Sequence, residues 1–502
     1  WDVGYDITDF RGVAPEYGDL ASCARLFDAV HRRGMRVVMD MVLNHTSDLH
    51  PWFQASRRSR DDPRRDWYVW RDGRRSLGRA PPNNWRAMIG GRGWHHDPTT
   101  DQWYWAQFLP FQPDLNYRNP AVRREMLDTM RFWLDRGVDG FRLDIVNALF
   151  EDGEFRDNPF AWTLLPGDDD PSMLFRSSLR TLNHPDTLAF MRELRALTDG
   201  CAAPPRCLVG EVNGSLEQAR AHCGAAGDGL HLVFLFRSLK ARLSARSIRR
   251  LLEAYEEAFP DPLLPTWVFS NHDRTRRISR LGDDLEKARA NAFWQLTARG
   301  VPFIYYGEEI GMMQQRLPVR TTRDGLAAWA GQPQWVVDLV RRITGESINR
   351  DEGRTPMQWE PGPGAGFCPP GAIPWLPLPE DTRGRTVAEQ RRDPGSLLSC
   401  YRRLLAARRR HPALRGGTQE SLSEVVTGRH VAGWRRRAGD QVALVLLNAS
   451  DRPRILVNPA PGAAPLAWTR EHPPAVAGPD LTLGPWEGVV LDEGSTASPR
   501  RP

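Results

Sequence analysis

The feature that most constrains this chain is a regular alternation of short apolar runs with amphipathic stretches of helical period. Residues 35–42 (MRVVMDMV), 138–145, 208–212, 230–236, 266–270 and 301–306 read as buried strands. Residues 121–134, 187–197, 248–258, 285–298 and 397–409 read as helices, the first with Pro120 at its start, where a missing N–H costs nothing. Near-continuous apolar strands separated by helices predict a parallel sheet covered on both faces. The number of repeats in 502 residues favours a (β/α)8 barrel over an open doubly wound sheet. No GxGxxG follows a strand, so a dinucleotide fold has no support.

Two connections are too long to be plain loops, and the predicted organisation follows from them. A catalytic barrel is expected over residues 1–44 and 114–412, interrupted by an inserted subdomain at 45–113. After it come a small all-β domain at 413–492 and a disordered tail at 493–502. The chain opens on Trp1 rather than Met and reads as a fragment whose first barrel strands are missing. Apolar residues make up 40%, enough for a large core, yet no run approaches the roughly 20 apolar residues of a membrane helix. The net charge of +6 would suit a nucleic-acid partner, but all but two of the 68 basic residues are arginine, interspersed with acids. Solvated helix faces account for that pattern, and neither a nucleic acid nor a membrane is expected as partner. Six cysteines without a CxxC pair predict reduced thiols and a cytoplasmic protein, and no metal cluster is evident.

Active sites of such barrels lie at the C-terminal ends of the strands, and polar residues collect there on four of them. One strand holds Asp40 and exits into Asn44-His45, and a second holds Arg142 and Asp144. A third reaches Glu211, and a fourth exits into Asn271-His272-Asp273. Arg142 and Asp144 are two apart, on one face of a strand. An adjacent arginine keeps a carboxylate ionised, as a nucleophile requires, although a structural ion pair would look the same. Glu211 follows the apolar run Cys207-Leu208-Val209-Gly210 with no basic neighbour in sequence. It is therefore expected to be isolated, with a raised pKa suited to a general acid; pairing with one of the many arginines is the alternative. Asn271-x-Asp273 is also an ordinary turn signal.

Taken together, DMVLNH (40–45), QPDLN (112–116), GFRLD (140–144), GEV (210–212) and SNHD (270–273) resemble the ordered motifs of the α-amylase family, glycoside hydrolase family 13. The resemblance runs from Trp1 to about Leu491. It implies a retaining mechanism with Asp144 as nucleophile, Glu211 as acid/base and Asp273 as the third essential carboxylate. It further implies that Arg142 positions the nucleophile and that Asp6, His45 and His272 bind the cleaved sugar. Asp40 and Asn44 would be architectural. No cofactor is implied, though relatives hold a structural calcium ion in the segment expected to be missing here.

QPDLN and GRTPMQW (353–359) resemble the α-glucosidase and oligo-1,6-glucosidase branch, in which the counterpart of Arg354 helps close the terminal-glucose pocket. The implied activity is release of glucose from the non-reducing end of short α-1,4 or α-1,6 oligosaccharides. Ile145, directly after the nucleophile, resembles the bulky class associated with α-1,6 cleavage. Two alternatives share these residues or the fold: a transglycosylating or isomerising relative acting on sucrose or trehalose, and a non-catalytic homologue like the amino-acid transporter heavy-chain ectodomain.

Overall fold

The computed structural model describes residues 4–495 apart from 75–79, 90, 165–166, 168–169, 202–203, 326–330 and 380–381. The chain divides into two compact units, Trp1–Leu235 and Phe236–Pro502.

The first unit is built on a four-stranded parallel sheet in the order Val38–Val42, Gly140–Asp144, Cys207–Gly210, Leu232–Val233. Each strand begins or ends within a few residues of its predicted run; residues 230–236 contribute only two paired residues. Helix Pro120–Leu134 covers the sheet because Val122, Met126, Met130 and Trp133 recur on one face. Its start is set by Pro120 and by Asn119, whose side chain accepts from the Ala121 amide, a cap worth about 1 kcal/mol. Helix Pro185–Asp199 repeats the device with His184 as cap and Phe190, Met191 and Leu194 buried. Gly140 is required by the sheet itself, since a Cβ there would collide with the Cys207 backbone on the next strand. The excursion between the first two strands carries a three-stranded antiparallel sheet, Trp70–Arg71, Gln102–Trp105 and Trp94–Asp97. Its core is tryptophan-rich: Trp85, Trp94, Trp103 and Trp105 pack on Val69.

In the second unit, strands Thr266–Val268 and Val301–Phe303 pair in parallel, joined through helix Leu285–Thr297. That helix is buried on almost every side from Ala290 onward. Asp284 caps it, accepting from the Glu286 and Lys287 amides. The C-terminal part is an antiparallel sheet of five strands in the order Thr418–Ser421, Val431–Ala438, Gln441–Asn448, Gly488–Ser495, Ala464–Trp468. A two-residue turn at Gly439-Asp440, with Gly439 at φ 56°, joins two of them; a tight hairpin of this kind needs a residue that tolerates positive φ. The expected tail is corrected in part. Residues 493–495 extend the strand Gly488–Ser495, and Glu493 is held by Arg435 at 2.9 Å. Residues 496–502 lie outside the described residues.

None of the six cysteines forms a disulfide. Among the described residues, no helix is long and apolar enough to cross a membrane.

Candidate active site

In the first unit, parallel register does the assembling. Asp40 lies opposite Arg142 on the neighbouring strand, and Arg142 lies opposite Val209 on the next. The guanidinium of Arg142 is thereby placed among three carboxylates drawn from three strands. Its Nη1 donates to Asp144 Oδ1 at 2.5 Å and to Asp40 Oδ1 at 2.9 Å, and its Nη2 donates to Glu211 Oε2. Burial alone would lower the pKa of Arg142, but Glu211 and Asp144 outweigh it, with smaller help from Tyr5 and Asp40, and raise it. The Tyr5 hydroxyl donates to Asp40 Oδ2 at 2.8 Å and closes the cluster.

The backbone ties the two inner carboxylates together. The Glu211 amide donates to the Leu143 carbonyl at 2.9 Å, and the Val146 amide donates to the Glu211 carbonyl at 3.0 Å. Between those contacts Ile145 adopts a left-handed conformation, φ 37° and ψ 51°. A β-branched residue there is strained. Its side chain is buried against Ala148 and Leu182, with Met88 and Phe108 alongside.

One expectation is corrected. Glu211 is not an isolated glutamate in apolar surroundings: it is paired with Arg142. Sequence proximity could not show this, because the arginine arrives from the adjacent strand, 69 residues earlier.

His45 is fully buried, and burial lowers its pKa to about 4 against the opposing pull of the Tyr5 carbonyl and Asp6. The ring is therefore neutral near pH 7. Its Nε2–H donates to the Tyr5 carbonyl at 2.9 Å, leaving Nδ1 to accept from the Asn44 amide at 3.3 Å. Both nitrogens are engaged within the protein. Asp6, partly exposed, is close enough to influence His45 electrostatically.

In the second unit Asp273 sits among cations. Arg350 Nη1 and Arg354 Nη2 donate to its Oδ1 at 2.9 and 3.1 Å, and His272 Nε2 lies 3.3 Å from Oδ2. Burial by itself would raise the Asp273 pKa; His272, Arg350 and Arg354 outweigh it and hold the carboxyl well below the usual carboxylate range. Arg354 also donates through Nε to the His272 carbonyl at 2.8 Å, so it grips both sides of the motif. The turn foreseen at Asn271 is present too, its side chain accepting from the Asp273 amide at 3.1 Å.

Arg350 was not singled out from the sequence. It stands four residues before Arg354, and its other edge is clamped by the fully buried Asp324, which accepts from Nε at 3.0 Å and Nη2 at 2.6 Å. Its proximity to GRTPMQW was the available signal. Among the described residues no group of three or more His, Cys, Asp or Glu side chains is placed to hold a metal ion.

Residues 1–417 match the family model for the alpha amylase catalytic domain. The chain belongs to the alpha-amylase family. Its α/β architecture, with a C-terminal β-rich domain, is the alpha-amylase family fold, and the chain is a glycosidase of the α-glucosidase type. A probable alpha-glucosidase of Rhizobium meliloti (strain 1021) is 38% identical over 467 residues, covering 90% of this chain and 80% of that one. The oligo-1,6-glucosidase of Parageobacillus thermoglucosidasius is 30% identical over 478 residues, covering 90% and 81%. Among solved structures, the trehalulose synthase MutB of Pseudomonas mesoacidophila MX-45 superposes with a TM-score of 0.85 at 29% identity, covering 97% of this chain and 89% of that one.

Proposed function

We propose that this family member is a retaining α-glucosidase that releases glucose from the non-reducing end of short α-1,4- or α-1,6-linked oligosaccharides. Asp144 attacks the anomeric carbon, Glu211 protonates the leaving oxygen and then activates water, and Asp273 binds sugar hydroxyls. The observation that carries this reading is the guanidinium of Arg142, which touches Asp144 and Glu211 at once. Retention needs two carboxyl groups about 5–5.5 Å apart, whereas inversion needs about 6.5–9.5 Å. Two carboxylates on the terminal nitrogens of one guanidinium suit the shorter spacing. Arg142 keeps the nucleophile charged, and substrate entry is expected to draw Glu211 toward the glycosidic oxygen, since catalytic contacts rearrange on binding.

Arg350 and Arg354 hold Asp273 ionised and oriented, as a carboxylate accepting from two sugar hydroxyls must be. Asp6, His45 and His272 are assigned to the same sugar by their place in the motifs; His45 would exchange its bond to Tyr5 for one to substrate.

Glu211→Gln is expected to lower kcat/KM for maltose by about 10²–10⁴-fold, and far less for p-nitrophenyl α-glucoside, whose leaving group needs little acid help. Equal losses on the two substrates, measured side by side, would remove Glu211 from the acid role.

The linkage preference is assigned to Ile145. Ile145→Thr keeps a β-branched residue in the left-handed position but removes apolar bulk beside Leu182, so the ratio of maltose to isomaltose cleavage should rise several-fold. An unchanged ratio would defeat the assignment.

A second reading is transfer or isomerisation of an α-glucoside such as sucrose, supported by the likeness to trehalulose synthase MutB. Water and a sugar compete for the same glycosyl-enzyme intermediate. Product analysis with sucrose separates the readings: free glucose and fructose mark hydrolysis, an isomeric disaccharide marks transfer.

A further inference from the structure

Within the second unit, two consecutive tyrosines reach the segment that carries Arg354. Tyr305 and Tyr306 lie just beyond the end of strand Val301–Phe303. On a strand, neighbours in sequence point to opposite faces. Here the chain has left the strand, and the two rings stand side by side with centroids 4.6 Å apart. The turn that follows needs Gly307, at φ 83°, where a Cβ would come to 2.8 Å from the Met312 side chain. The Tyr305 hydroxyl donates to the Gly353 carbonyl at 3.1 Å, and the Tyr306 hydroxyl donates to the Thr355 carbonyl at 2.8 Å. These two carbonyls flank Arg354.

The same tyrosines are tied back to the turn of Asp273. The Arg276 guanidinium, almost wholly buried, lies 4.8 and 4.7 Å from the two ring centroids, and its Nη1 donates to the Tyr306 carbonyl at 2.7 Å. Arg276 follows Asp273 by three residues. Arg354 closes the circuit, with Nη2 on Asp273 Oδ1 at 3.1 Å and Nε on the His272 carbonyl at 2.8 Å. An arginine side chain has many rotamers to lose, so both contacts persist only where the backbone at residue 354 is fixed. Residues 355–359 belong to no helix or strand, and no ladder does the fixing. The tyrosine hydroxyls supply it from outside the segment.

We propose that Tyr305 and Tyr306 are positioning residues whose hydroxyls hold Arg354 on Asp273 and His272, and that they thereby set how tightly the sugar at Asp273 is bound in the transition state. The proposal rests on the α-glucosidase reading for that sugar. Neither tyrosine is assigned a contact with substrate; both act through Arg354. Ring packing against Arg276 is a separable role, because phenylalanine keeps the ring and loses only the hydroxyl.

Tyr305→Phe, Tyr306→Phe and the double replacement are compared in the full chain, each also combined with Arg354→Gln, with circular dichroism confirming that every variant folds. One such hydrogen bond is worth about a factor of five, so the double replacement should lower kcat/KM for p-nitrophenyl α-glucoside about tenfold or more. With Arg354→Gln already in place, the same replacements should change kcat/KM less than about twofold, because no arginine is left to hold. Equal losses in the two backgrounds, or no loss in the first, would overturn the proposal; the single replacements carry the comparison where the double one does not fold. Hydrogen–deuterium exchange gives a readout that does not need activity. Amides of residues 350–358 should exchange at least about tenfold faster in the double replacement, with strand Gly488–Ser495 unchanged, and equal exchange in the first segment would also overturn the proposal. Faster exchange in a chain whose unaltered form releases no glucose means that the hold on Arg354 stands and the glucosidase reading fails. Glucose release with equal losses in both backgrounds means the reverse.

Discussion

Asp144→Asn should lower glucose release from p-nitrophenyl α-glucoside by at least about 10⁴-fold, the scale on which removal of a covalent nucleophile is felt. The amide is nearly the same size as the carboxylate but cannot form the glycosyl-enzyme ester. The fold should survive, because Arg142 keeps Glu211 and Asp40 as partners and so is not left as an unpaired buried charge. Steady-state kinetics, with thermal unfolding followed by circular dichroism, reads both halves of the expectation. Loss of activity accompanied by collapse of the melting transition would mean that Asp144 is structural. More than about one percent residual activity would mean that another group is the nucleophile.

Arg142→Met should be the most damaging change to stability. The arginine side chain is only 13% exposed and serves three carboxylates, two of them nearly buried. Removing one member of a buried ionic cluster typically costs about 3–5 kcal/mol, because the partners keep their desolvation penalty without compensation. The pH dependence gives a second signature. Crowded carboxylates without a countercharge have raised pKa values in the folded state, so the folded variant binds more protons than the unfolded chain and loses stability as pH rises through those values. The variant should therefore gain stability relative to wild type between pH 7 and pH 5, as measured by urea unfolding at each pH. A destabilisation independent of pH would show that Arg142 contributes packing alone.

Much of this was legible in the sequence because it is local. Strand runs alternating with helices of 3.6 period announce parallel βα units, and Asn119-Pro120 marks a helix start by backbone chemistry that involves only adjacent residues. Asp144, Glu211 and Asp273 stand out in the sequence because each lies at the end of a predicted strand. The Arg142–Asp144 pair was readable because alternate strand residues share a face.

What remained hidden depends on which strands become neighbours and in what register. The pairing of Glu211 with Arg142 exists because Arg142 faces Val209 across a parallel ladder; an apolar run of residues says nothing about the strand beside it. Asp324 and Arg350 lie 26 residues apart, on either side of the helix Gln334–Thr344, so nothing local joins them. The positive φ at Ile145 runs against the preference of a β-branched residue and persists because the Val146 and Glu211 backbones are bonded across the strand end. The sequence by itself determined which residues carry charge at the strand ends and the family to which the chain belongs. The tertiary structure alone decided which carboxylates share a guanidinium, because hydrogen-bond register and desolvation act through space between segments that the chain order does not bring together.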